Sequence, residues 1–179
     1  MSFRFHRSIP NLSIFHNARS AHSERILQLL RSSLSNPYAP PRRIAAAGAK
    51  AEISGTSTIK KLLQRPLEFN LDVSTAPPTP DQYQTMLDYL RTQQLTQSFF
   101  TGPSSLARFL VKHAQPVSST EELSELASKN PSSVRWPVVV HWDNGLVAIE
   151  REDEVNNILE VIYEEANGGV SVQQQDWLT

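Results

Sequence analysis

Cysteine is absent from all 179 residues, and glycine is scarce, with only six. Without a thiol the chain can form no disulfide, no thiolate zinc site and no iron–sulfur cluster, and it offers no cysteine nucleophile. No apolar run approaches the roughly 20 residues that cross a bilayer as a helix. The segment Ser2 to Pro10 lacks the apolar centre of a secretory signal. Acidic residues are missing from the first 23 positions, which carry Arg4, Arg7, Arg19 and three histidines. No basic patch is interleaved with aromatic residues, which argues against nucleic acid as a partner.

What is present fits one modest domain with appendages. Hydrophobic residues make up 39% of the chain, enough for a core, and twelve prolines point to long irregular connections. Charge is divided unevenly: residues 1–65 hold eleven Lys and Arg against two acids, and residues 66–179 hold six against sixteen. The basic segment 1–11 has the acid-free, Ser-containing composition of a mitochondrial targeting signal, or is simply solvated. A domain is expected over 12–166. It is interrupted at about 37–65 by a flexible insertion with too few large apolar side chains to offset ordering entropy. Residues 167–179 read as a disordered tail.

The most informative stretch is Val134 to Ile149. Val138 to Trp142 is apolar and rich in β-branched residues, Asp143-Asn144-Gly145 follows, and Leu146 to Ile149 is a second apolar run. This predicts a β-hairpin with Asn144 and Gly145 supplying positive φ, and a first strand buried on both faces at the centre of its sheet. Pro137 stands just before that strand, where a missing N–H costs nothing, and holds Trp136 extended. The acidic cluster Glu150 to Glu154 opens a helix running to Ala166, with Val155, Ile158, Leu159 and Ile162 on one face.

Earlier in the chain, Leu12 to Phe15 reads as a strand and Ser20 to Leu34 as a helix, capped by Ser20 or Ser23. Leu67 to Val73 alternates apolar and polar residues, as a half-buried strand does. Thr79 and Gln82 form a capping box with Pro80 at the first helical position, followed by Tyr83, Met86, Leu87 and Leu90 on one face. Further helices are expected from Pro103 to His113 and from Ser119 to Ser128. The order is a β-α-β unit, then helices, then a β-β-α unit. This predicts an α/β fold with a small central mixed sheet.

The segment Ile14-Phe-His-Asn-Ala-Arg-Ser-Ala-His-Ser23 joins the first strand to the first helix. It resembles the active-site loop of glutaredoxin-linked arsenate reductases: Ile14, Phe15, His16, Asn17 and Ser23 match, and Ser20 stands where the nucleophilic cysteine falls. A wider resemblance rests on Phe15-His16-Asn17, on Phe69 to Asp72 with Pro77 to Gln82, and on Trp136 to Gly145. Together these resemble the fungal mitochondrial redox-protein family, whose fold is thioredoxin-like.

The resemblance implies a mitochondrial thioredoxin-like oxidoreductase, with the proline before the hairpin cis and facing the active site. The residues it marks for ligand binding are Asn17, Ser20, Ser23, Trp136 and Pro137, with glutathione, a partner's thiol or an extended peptide as the ligand. Ser20 does not replace the thiol, because a serine hydroxyl stays un-ionised at neutral pH and cannot cycle through a disulfide. Ser20 reads as a helix cap, and the structural reading of the other pair is that Trp136 packs the hairpin and Pro137 merely begins a strand. Two functions are therefore expected: a redox protein relying on a thiol supplied by glutathione or a partner, or a non-catalytic binding or scaffold protein. His16 and His22 have no acid in a recognisable pattern to orient them, so serine hydrolysis is not expected. His6, His113 and His141 show no ligand spacing, so no metal is expected either.

Overall fold

The computed structural model describes residues 8–41, 65–95, 110–112 and 119–167. Four strands form one mixed sheet: β1 (Asn11–Phe15), β2 (Asn70–Ser74), β3 (Val138–His141) and β4 (Leu146–Ile149). Their order across the sheet is β2-β1-β3-β4. β1 pairs parallel with β2, from Asn11↔Asn70 to Phe15↔Ser74, and antiparallel with β3, from Leu12↔His141 to Phe15↔Val138. Four helices are described: α1 (Ala21–Ser35), α2 (Pro80–Leu95), α3 (Thr120–Lys129) and α4 (Glu152–Ala166).

The apolar residues divide by strand parity into two layers, one on each face of the sheet. Phe15, Val138, Val140, Val147 and Ile149 pack against Tyr83, Met86 and Leu90 of α2 and Leu123 and Ala127 of α3. Leu12, Ile14, Val139 and Ala148 pack against Ile26, Leu27 and Leu30 of α1 and Val155, Ile158, Leu159 and Ile162 of α4. Each large aliphatic side chain so buried contributes about 1.5–3 kcal/mol. All four residues of β3 are buried, as its continuous hydrophobicity requires of a strand covered on both faces.

Several local expectations meet their mechanism. Ser20 is the N-cap of α1, its hydroxyl accepting the Ser23 N–H at 3.3 Å. Thr79 and Gln82 close a reciprocal box, with Thr79 N–H donating to Gln82 Oε1 at 2.9 Å and Gln82 N–H to Thr79 Oγ1 at 3.3 Å. Ser119 caps α3 through the Glu122 N–H at 3.2 Å.

Other expectations are corrected. β2 begins at Asn70, not Leu67, because Asn70 is the first residue to meet a partner in β1. Leu67 and Phe69 approach it in extended chain and are buried, whereas Val73 is 37% exposed. β2 is an edge strand with only β1 beside it, so an alternating pattern does not secure a covered face along its length. The hairpin loop spans residues 142–145, between His141 and Leu146, and of Asn144 and Gly145 only Gly145 uses positive φ. The expected Pro103–His113 helix lies mostly outside the described residues. Within it, Leu110 is helical and Val111 bridges Val134 in antiparallel fashion, so helix has given way to bridged chain before His113. The insertion is described only at its margins, and the tail from residue 168 lies outside the described residues.

Candidate functional site

The carboxyl ends of β1 and β4 and the start of β3 meet at one rim of the sheet, since Phe15 pairs Val138 and Val138 pairs Ile149. In open α/β sheets this rim, with the amino ends of the following helices, is where ligands bind. Three segments converge there: the loop 16–20 with the start of α1, the segment 134–137, and residue 150.

The first segment is held by its own polar groups. Asn17 C=O accepts the Ser20 N–H at 2.9 Å, and Asn17 Oδ1 accepts the Arg19 N–H at 3.0 Å. Ser20 N–H and Ser20 Oγ are thus both engaged, while the amides of Ala21 and His22 make no hydrogen bond among the described residues. Ser23 is completely buried. Its Oγ accepts the Asn17 N–H at 3.1 Å and lies 2.8 Å from His16 Nδ1. With the hydroxyl proton given to Nδ1, the ring N–H is on Nε2, which faces Glu24 Oε2 at 3.5 Å.

This is a serine–histidine–carboxylate order that the sequence did not disclose, because Glu24 and His16 are joined only across the turn. It is not a nucleophile's arrangement. Ser23 has no exposed surface, and its oxygen is committed to fixing the loop. Of the residues marked for a ligand, Ser23 therefore contributes rigidity, and the partly exposed Ser20 and Asn17 form the surface.

The second segment passes through a cis Trp136–Pro137 bond. Trp136 is 5% exposed as a whole, its ring belongs to the core, and Nε1 donates to the Pro131 carbonyl at 2.6 Å. The indole is a packing group, and only the backbone of Trp136 remains to meet a ligand. Lys112 N–H donates to Ser133 O at 2.7 Å and Arg135 N–H to Leu110 O at 2.8 Å, flanking the Val111–Val134 bridge. Backbone groups alternate in direction along extended chain. Those of Arg135 point toward 110–112, so those of Trp136 point away, and among the described residues they have no backbone partner.

Glu150 joins the other two segments. Its N–H donates to Pro137 O at 2.9 Å, and its C=O accepts the Nε2–H of His22. Its carboxylate takes Arg135 Nη1 at 2.8 Å and lies 4.0 Å from Lys112 Nζ. It does this at φ +60, in the left-handed region. Nothing in the sequence marked Glu150, Arg135 or Lys112: Glu150 reads as the first of a run of helix-opening acids. At the opposite rim a cavity of about 300 Å³ is lined by Pro10, Leu67, Ile162 and Tyr163, and none of the residues marked from the sequence reaches it.

Fold and rim together define an α/β protein with a four-stranded mixed sheet and a cysteine-free site at the carboxyl ends of its parallel strands. Among the described residues no group of His, Asp or Glu is arranged to hold a metal ion, and no helix is long and apolar enough to cross a membrane. The chain belongs to the family described as "Protein of unknown function (DUF1687)", whose profile matches residues 3–150. That span includes the 16–23 loop, the Trp136–Pro137 segment and Glu150. No curated protein and no solved structure matches the chain.

Proposed function

We propose that this is a mitochondrial thioredoxin-like protein that binds a thiol-bearing ligand, glutathione or an extended peptide, without a thiol of its own. The observation that carries this reading is the backbone of Trp136, directed away from 110–112 and without a backbone partner among the described residues, linked through Pro137, Glu150 and His22 to the start of α1. An extended ligand pairs with such an edge through main-chain hydrogen bonds, which demand no particular side chain from the protein. The open amides of Ala21 and His22 favour an anionic group on that ligand. The β1-α1-β2 and β3-β4-α4 halves sharing one sheet support a thioredoxin-like relationship.

Binding is the function, and any redox change belongs to thiols that the ligand or a partner brings, because Ser20 cannot form a mixed disulfide. A mitochondrial location is supported by the basic, acid-free chain start. Since β1 begins at Asn11 and lies inside the sheet, a removable signal would end before it, with Arg4 and Arg7 as its basic residues.

The test is a titration of isotopically labelled protein with glutathione, followed by amide shifts. Saturable shifts confined to Ser20–Ser23 and Trp136–Val138 are expected. A folded sample whose amides stay still at millimolar glutathione, or shift only elsewhere, would remove glutathione as the ligand.

A further inference from the structure

Left-handed backbone costs a side-chain-bearing residue about 1–2 kcal/mol and costs glycine almost nothing. At position 150 the chain keeps a glutamate. The backbone bonds to Pro137 and His22 would be equally available to glycine, so what Glu150 adds is its carboxylate. That carboxylate is held by Arg135 and Lys112, in side chains 33%, 42% and 37% exposed respectively. Ion pairs this exposed add little to stability, so folding alone does not explain the choice. Two cations face one anion, leaving a positive charge over, and Arg135 Nε is buried with no hydrogen-bond partner among the described residues.

We propose that Lys112 and Arg135 form a carboxylate-binding site, in which the Glu150 carboxylate is an internal occupant that a ligand's carboxylate displaces. Arg135 adjoins Trp136 in the chain, and this is the link between a ligand at Trp136 and the two cations. The inference takes the ligand's direction from the function proposed above, but the site itself stands on Lys112, Arg135 and Glu150. The shared chemistry is a carboxylate beside an extended main chain, carried either by glutathione or by the free C-terminus of a protein segment.

Calorimetry with three probes tests this: glutathione, a free-acid tripeptide, and the C-terminal amide of the same tripeptide. The wild type is compared with Glu150→Gln, which removes the charge, and Glu150→Gly, which also relaxes the backbone and guards against a folding artefact. Removing an internal competitor raises apparent affinity by the reciprocal of the fraction of sites it had left free, here by about tenfold in both variants for the free-acid probes. The amide gains nothing, and adding Arg135→Gln abolishes the gain. Binding of glutathione identifies the small molecule as source, and binding of the tripeptide alone identifies a protein C-terminus and leaves the glutathione reading failed. The inference is overturned if neither variant gains affinity, if the amide gains as much as the acid, or if no free-acid probe binds either variant at millimolar concentration. Free-acid and amide probes that each bind wild type and both variants equally, with shifts at Trp136, would keep the peptide-binding function and discard the carboxylate site.

Discussion

The two ends of the β3–β4 hairpin adopt nearly the same unusual backbone angle with different residues. At the turn, Gly145 has φ +62, and a Cβ there would lie 3.1 Å from Tyr89 Cδ1. At the far end of β4, Glu150 has φ +60. The turn is closed over by α2: Tyr89 donates its hydroxyl to Trp142 O at 3.2 Å and packs edge-on to Trp142. The other end faces the rim, with its side chain between two cations. The same angle is met by removing a side chain where packing leaves no room, and by keeping a charged one at the rim proposed to bind a ligand. Structural demand governs the first end, and the second carries strain of the kind found at functional sites.

Substituting the two positions separates these roles. Gly145→Val is expected to destabilise by about 3 kcal/mol, adding left-handed strain to a collision with the Tyr89 ring. The readout is a lower denaturation midpoint with unchanged denaturant slope. A shift below about 1 kcal/mol would mean that the turn relaxes freely and that the contrast is not one of packing.

The loop that faces Glu150 has its own pair to compare. Ser23→Ala leaves the Asn17 N–H and His16 Nδ1 without their buried partner and is expected to cost about 2 kcal/mol. Ser20→Ala removes only a partly exposed cap and is expected to cost about 1 kcal/mol. Equal losses in chemical denaturation would contradict the assignment of Ser23 as the fixed point of the loop.

His141 lies in the core between the two ends, 1% exposed, and neither ring nitrogen has a hydrogen-bond partner among the described residues. Burial holds its pKa below the usual histidine value, against the opposing pull of the Glu165 and Asp143 carboxylates. The unfolded chain then takes up a proton before the folded one does. Stability is full above pH of about 6.5 and falls as the pH drops from there toward the lowered folded value. His141→Leu removes an unsatisfied polar group and is expected to stabilise by about 1 kcal/mol at neutral pH. It should also flatten stability against pH below about 6.5. An unchanged slope between pH 7 and 5 would show that His141 is not the responsible group.

The smallest effect is expected at the far end. Glu150→Gly gains about 1 kcal/mol from relaxed backbone and loses exposed ion pairs worth at most a similar amount. Stability should stay within about 1 kcal/mol of wild type, against the large loss at Gly145. A loss of 2 kcal/mol or more would make Glu150 a structural residue like its counterpart.

Much of the fold was legible because local chemistry and global packing agree. The buried run from Val138, the Thr79–Gln82 box, the cap at Ser20, the helix start at Ser119 and the helical face from Val155 to Ile162 each follow from residues within one turn or strand. The first half of the site was legible for the same reason, since Asn17 and Ser20 lie in a short loop that opens a capped helix. The rest was not. Glu24 reaches His16 only when the loop folds back, and Lys112, Arg135 and Glu150 come from three separate segments. Val73 shows the converse failure: its alternating pattern is correct for a strand, but only the sheet order reveals that the strand is an edge.

The sequence by itself determined that no thiol chemistry is available, that an α/β sheet forms, and that β3 lies at its centre, because composition and periodicity depend on each residue and its near neighbours. Tertiary structure alone decided which serine is buried and which is presented, that the Trp136 ring belongs to the core while its backbone is directed away from 110–112, and that a left-handed glutamate links α1 to the hairpin. Those outcomes depend on contacts between residues up to 128 positions apart, as in the His22–Glu150 bond, and no local pattern encodes them.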